Sequence, residues 1–171
     1  MISAKIKQRL FSILTIVAIA FFWVLLDARV AIAQDSAVNY TYSEIRRQDF
    51  SHKDLVGGVF AAADARGSNF EGSDVSNSIL TKGIFINTTL KDSNFTSSLM
   101  DRVSFENSDL TNAIFRDAVA TSTNFEGATI TGADFSDAIL DRYQIYQMCK
   151  RASGTNPVTG VETRYSLGCR D

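Results

Sequence analysis

The sequence predicts an all-β solenoid, a coil that turns a corner every five residues, and three observations carry that expectation. Beyond residue 33 the phenylalanines are Phe50, Phe60, Phe70, Phe85, Phe95, Phe105, Phe115, Phe125 and Phe135, and every one falls on a multiple of five. Of the twenty multiples of five from 45 to 140, eighteen carry a large apolar side chain; only Ala65 and Ala120 are small. The flanks keep the same register. Two residues before each centre the side chain is small (Ser68, Ser73, Ala113, Ala133), and one residue before it Asp or Asn recurs (Asp54, Asp74, Asn94, Asp134). A repeat this regular is read before any other structure.

A period of five excludes the two common elements. On a helix, five residues advance roughly 500°, so the apolar side chains would spiral round every face. On a flat strand, an odd spacing points successive centres to opposite faces. Four corners close a square coil of twenty residues, stacked on the next at about 4.7–4.9 Å. Stacking by twenty predicts four core columns. They are Leu55, Val75, Phe95, Phe115, Phe135; Ala65, Phe85, Phe105, Phe125; Phe50, Phe70, Leu90, Leu110, Ile130; and Phe60, Leu80, Met100, Ala120, Leu140.

Four segments follow in order. Residues 1–33 read as a signal peptide: Lys5, Lys7 and Arg9 precede an apolar run from Leu10 to Leu26, and Ala31-Ile32-Ala33 is a small-x-small cleavage pattern. An uncleaved anchor is the competing reading, because the run is near the lower limit for a membrane span. Residues 34–44 are an N-terminal lead-in, with Tyr40 a partial repeat. Residues 45–140 are the repeats, about five coils and about 24 Å tall. Residues 141–171 form a C-terminal cap, a short helix over 141–152 with Tyr143 and Met148 covering the last coil. The chain's two cysteines, Cys149 and Cys169, predict a disulfide in an exported protein. That disulfide either staples the cap or makes it redox-sensitive.

Units such as Ala133-Asp134-Phe135-Ser136-Asp137 and Ser108-Asp109-Leu110-Thr111-Asn112 resemble the pentapeptide-repeat family, whose unit is A(D/N)Lxx. The resemblance covers roughly residues 40 to 145 and implies a right-handed quadrilateral β-helix. The departures are Val103 at a small position, Ala65 and Ala120 at centres, and Val59, Ile79, Ile84, Leu99, Ile114 and Ile139 at the Asp/Asn position. The tail from Met148 to Gly160, with Thr163-Arg164 and Ser166-Leu167-Gly168-Cys169, is similar to that of thylakoid-lumen pentapeptide proteins of cyanobacteria and chloroplasts. A plastid precursor would carry a long transit peptide, whereas nine residues precede the apolar run here. The resemblance therefore implies a cyanobacterial protein of the thylakoid lumen or periplasm.

Charge and composition narrow the function. Cleavage at Ala33 removes four of the 17 basic residues and one of the 19 acidic, leaving 13 and 18, a net −5. No basic surface advertises nucleic acid. With one His, His52, and no phosphate loop or metal-ligand spacing, no enzyme activity, cofactor, metal or small-molecule substrate is expected. The Asp54, Asp74, Asn94 column reads as side chains bonding their own turns. The strip of Lys82, Asp101, Arg102, Asp141 and Arg142 is the candidate docking surface. The expected function is a non-enzymatic, exported scaffold that meets a protein partner, such as a thylakoid membrane complex, with an end-to-end homodimer also open. The alternative, from other members of the family, is a DNA mimic acting on DNA gyrase. The leader and the mixed charges speak against it.

Overall fold

The computed structural model describes residues 14–19, 21–22 and 37–170. The expected cleavage site at Ala33 lies outside the described residues. Residues 14–19 and 21–22 are helical, and no helix among the described residues is long and apolar enough to cross a membrane.

From residue 37 onward a single five-residue unit repeats. Its corner is a four-residue turn, closed at most corners by the N–H three residues after the centre donating to that centre's carbonyl, as from Ser73 to Phe70 (3.1 Å) and Ala113 to Leu110 (3.0 Å); the Gln48, Ser78 and Thr88 N–H groups donate instead to the hydroxyls of Ser68, Ser98 and Ser108. The third residue of such a turn needs a positive φ. Every fifth residue from Tyr42 to Asp137 supplies one, with φ between 54° and 70°. Gly, Asn and Asp hold most of these places because they tolerate that region, but Ala62, Lys82 and Arg102 adopt it too.

Between corners only one or two residues are extended, and these pair with the residue twenty further on. Parallel bridges run Asp54 to Asp74 to Asn94 to Ile114 to Asp134, and the other sides repeat the pattern. Only at β1 (Val119–Ala120) and β2 (Ile139–Leu140) does the pairing lengthen into named strands. The sides are therefore columns of single rungs, because a five-residue unit leaves no room for a longer ladder. Below the last coil each centre donates its N–H to the carbonyl nineteen residues ahead, as from Phe95 to Ile114 (2.7 Å). The residue before the centre donates back to the preceding coil, as from Asn94 to Ser73 (3.0 Å). The backbone is thus satisfied by the stack itself.

The centres point inward, as the twenty-residue stacking requires. Phe50, Leu55, Phe60, Phe70, Phe85, Phe95, Phe105, Phe115, Phe125 and Phe135 are all buried. Phe95, Phe115 and Phe135 lie face to face with centroids 5.1 and 5.0 Å apart, and meet the Phe105 and Phe125 column edge-on. Offset-stacked and edge-on arrangements are the ones the ring quadrupole favours. The small residues two before each centre fill what space remains, and Val103 is accommodated there fully buried. The stack begins earlier than residue 45. Asn39 already bridges Val59, and the Tyr40 ring stacks on Phe60 at 5.3 Å.

The tail closes the other end. Helix α1 (Arg142–Cys149) buries Met148, as expected, but Tyr143 is 67% exposed and covers nothing; Leu140 is only half-buried. Tyr143 is the second residue of the helix, roughly 140° round from Met148, so when Met148 faces the core Tyr143 does not. The covering is done instead by Met148, Ala152 and Leu167, the last just beyond α2 (Thr163–Ser166). The tail also supplies the partners that a further coil would have given. The Arg151 guanidinium donates to the Phe125 and Ala128 carbonyls, and the Asn156 amide to those of Asn112 and Gly132 (3.0 and 2.9 Å). Ser166 Oγ accepts the Phe135 N–H (3.0 Å), and the Ser153 carbonyl accepts the Gly132 N–H (2.8 Å). Gly154, at φ +81°, lets the strap pass this close: a Cβ there would lie 3.0 Å from the Gly132 nitrogen. The Cys149–Cys169 disulfide, with Cα atoms 5.6 Å apart, ties α1 to the end of the tail.

Candidate functional site

Three of the four sides are occupied with their own architecture. The Asp or Asn before each centre accepts the N–H two residues on, as at Asp74 to Ser76 (3.0 Å), Asp109 to Thr111 (3.0 Å) and Asn124 to Glu126 (2.9 Å). Rungs also link neighbouring coils, the Asn94 amide donating to Asp74 (3.1 Å) and the Asn69 amide to Asp49 (3.2 Å). In the Asp54, Asp74, Asn94 column an amide N–H₂ therefore takes the place a cation would need. No group of three or more metal-ligating side chains occurs among the described residues.

Of the strip Lys82, Asp101, Arg102, Asp141 and Arg142, the first three stack on one corner, Asp141 joins them through Ser122, and Arg142 is the first residue of α1. The Lys82 N–H donates to the Asp101 carbonyl (2.9 Å) and the Arg102 N–H to the Thr121 carbonyl (2.9 Å), so coil sits on coil there. Its acids are engaged internally. Asp101 accepts from the Thr121 hydroxyl (2.7 Å) and from Arg102 Nε (2.6 Å), and these two bonds hold its carboxyl below the usual range. Asp141, the N-cap residue of α1, turns its carboxylate away from the helix to accept the Ser122 N–H (2.5 Å). Lys82 and Arg142 are exposed, and Arg102, also exposed, is paired with Asp101.

Two features were not singled out in the sequence. Asp64 is gripped by Arg66 (Nε, 2.9 Å) and Arg46 (Nη2, 2.6 Å), which hold its carboxyl far below the ordinary range. The signal was present in the Arg46-Arg47 pair, but only the eighteen-residue reach to Asp64 gives Arg46 its partner. The second feature is the fourth side. There the outward column, bridged rung by rung, is Val59, Ile79, Leu99, Val119 and Ile139. Leu99 is 47% exposed and Ile139 56%. The scattered departures from Asp/Asn fall largely on one side once sorted by twenty, and Val119 completes the row.

Beside the cap, a shallow cleft of about 200 Å³ lies between α1 and the stack, lined by Asn124, Glu126, Tyr143, Gln144, Gln147 and Arg151. Its one cation, Arg151, is already committed to the Phe125 and Ala128 carbonyls. Nothing in this arrangement pairs a nucleophile with a base. What residues 37–140 offer is a stack of coils with differently dressed sides, a solenoid of five-residue turns.

Comparison with known proteins agrees. The family model for pentapeptide repeats matches in eight copies spanning residues 49–137, more than half of the chain. The chain belongs to the pentapeptide-repeat family. It is 31% identical to a pentapeptide repeat protein of the Arabidopsis thaliana thylakoid lumen whose crystal structure is known. That match covers 80% of this chain and 88% of the other, with a TM-score of 0.37. It is 58% identical over 31 residues to the chloroplastic thylakoid lumenal protein TL20.3 of Arabidopsis thaliana, a match spanning 18% of this chain and 11% of that curated relative. QnrB1, a plasmid-mediated fluoroquinolone resistance protein, matches at 16% identity over 66% of this chain and 69% of its own, with a TM-score of 0.42.

Proposed function

We propose that this protein is a non-catalytic scaffold of the thylakoid lumen, cut after Ala33 on export and docking on a protein partner such as a photosynthetic membrane complex. In this reading the coil is right-handed and four-sided, with about five coils. The relation to the lumenal Arabidopsis thaliana protein, 31% identical over 80% of this chain, is the observation that carries it. A binding role fits the geometry. The repeat stacks a rigid surface without building a cavity, and its polar side chains are consumed by its own turns. The strip of Lys82, Asp101, Arg102, Asp141 and Arg142 borders the surface that docks.

In-cell crosslinking of a C-terminally tagged copy, with fractionation and mass spectrometry, tests this. Recovery of a chain beginning at Gln34, linked to subunits of a membrane complex, is the expected result. Recovery from the cytoplasm with the leader intact, or linked to DNA gyrase, overturns it in favour of the DNA-mimic reading.

A further inference from the structure

The stack and the tail carry opposite charge. Residues 34–141 hold 8 basic and 16 acidic side chains, whereas residues 142–171 hold five basic and two acidic, Glu162 and Asp171. An acidic solenoid therefore ends in a basic cap. Within the cap, α1 sorts the charge further. Met148 faces the core, and at about 100° per residue the positions turned furthest from it are Arg142, Tyr143, Tyr146 and the C-cap residue Lys150. Those four are exposed, while Gln144, Ile145, Gln147 and Cys149 are half-buried. The helix thus shows solvent a stripe of two cations and two tyrosines with no acid in it.

The disulfide adds a third cation. It holds Cys169 against Cys149, and the next residue, Arg170, shares a shallow cleft of about 260 Å³ with Arg142, Ile145, Tyr146 and both cysteines. Lys150 Nζ lies 4.3 Å from the centre of the Tyr146 ring and donates to Gln147 Oε1 (2.9 Å). Arg142, Lys150 and Arg170 make no ion pair among the described residues. Three positive charges stand around one exposed phenol, and no carboxylate neutralises them.

We propose that this face of the cap docks on an anionic membrane surface, with the coils standing away from the lipid. Headgroups fit it better than a protein does. The outer face of the eight-residue helix is about 12 Å long. That is a small part of the roughly 800 Å² that each partner gives to a standard protein interface. Headgroups move to meet each cation separately, and every Lys or Arg so placed strengthens attachment about fivefold. Tyrosine, with an apolar ring and a polar tip, suits the boundary between headgroups and acyl chains. The acidic coils lie on the Met148 side of α1, and beyond about 8 Å their repulsion is screened at physiological ionic strength. Attachment is electrostatic and shallow. It rests on neither the compartment nor the protein partner argued above.

Vesicle flotation tests it, on protein purified in the form that cells accumulate and with no other protein present. Vesicles of phosphatidylglycerol and phosphatidylcholine in equal parts are expected to carry the protein upward at about 20 mM salt and to release most of it at about 500 mM. Vesicles of phosphatidylcholine alone are expected to leave it behind. Lys150→Gln and Arg170→Gln, both at exposed positions, each weaken binding about fivefold with an unchanged thermal midpoint, and together about 25-fold. Lys82→Gln, on the stack, leaves binding unchanged. No flotation with the anionic vesicles, as a purely protein partner would give, overturns the proposal. So does salt-resistant flotation with both kinds of vesicle, or indifference to the Lys150 and Arg170 changes. A loss as large for Lys82→Gln overturns attachment through the cap.

Discussion

The stack and the tail solve the same problem in opposite ways. Within the stack a residue's task is fixed by its place in the five: centre inward, small residue beside it, Asp or Asn bonding the turn, positive φ two after the centre. Phe95 and Phe115 are interchangeable in role, and so are Asn94 and Asp74. In the tail nothing repeats. Arg151, Asn156 and Ser166 each occupy one spot and satisfy one or two particular groups of the last coil. Repetition makes the stack self-templating, since any coil supplies its neighbours with partners, whereas the tail ends the series by imitating a coil with unrelated side chains.

That contrast can be broken from the inside. Phe105→Ala opens a cavity where four ring contacts meet, to Phe85, Phe95, Phe115 and Phe125. A loss of about 3–5 kcal/mol in denaturant unfolding is expected, because coils locked above and below cannot collapse into the gap. Opening the Cys149–Cys169 loop comes next. Its sequence separation of 20 predicts a loss of about 3 kcal/mol on reduction, seen first as faster hydrogen exchange in 142–170 while the stack stays protected. Equal loosening of tail and stack would mean the two are not separable. The smallest effect has the opposite sign. Ala62, held at φ 54°, should gain about 0.5–1 kcal/mol on replacement by Gly, measured as a raised unfolding midpoint.

The same contrast explains what could be read from the sequence. The core columns, the small positions and the Asp/Asn turn bonds were legible because register alone determines them, down to Val103 being tolerated. The alternation of Gly, Asn and Asp two residues after the centre was visible as polarity, but its cause, a positive φ, needs the turn geometry. The tail was legible only in outline. A helix over 141–152 and Met148 as its inward residue follow from pattern, whereas Tyr143 was misplaced and Asn156 passed unnoticed. A contact reaching 44 residues back to the Asn112 carbonyl leaves no periodic trace. At the candidate site, counting in twenties placed Lys82 and Arg102 on one corner but could not show that Arg142 begins the cap helix. The apolar row beside that corner was seen only as six exceptions until the bridges sorted them by side.

The twenty-residue step also sets how such a chain can lengthen. Duplicating twenty residues adds one storey to the tower and leaves every wall dressed as before, with the Val59-to-Ile139 row simply taller. Duplicating five keeps each corner sound yet swings everything above it a quarter turn, so that the upper half of the row would face a different direction from the lower. Growth by whole storeys is therefore the only kind that extends this wall unbroken, and the wall's continuity over five of them is a record of register kept.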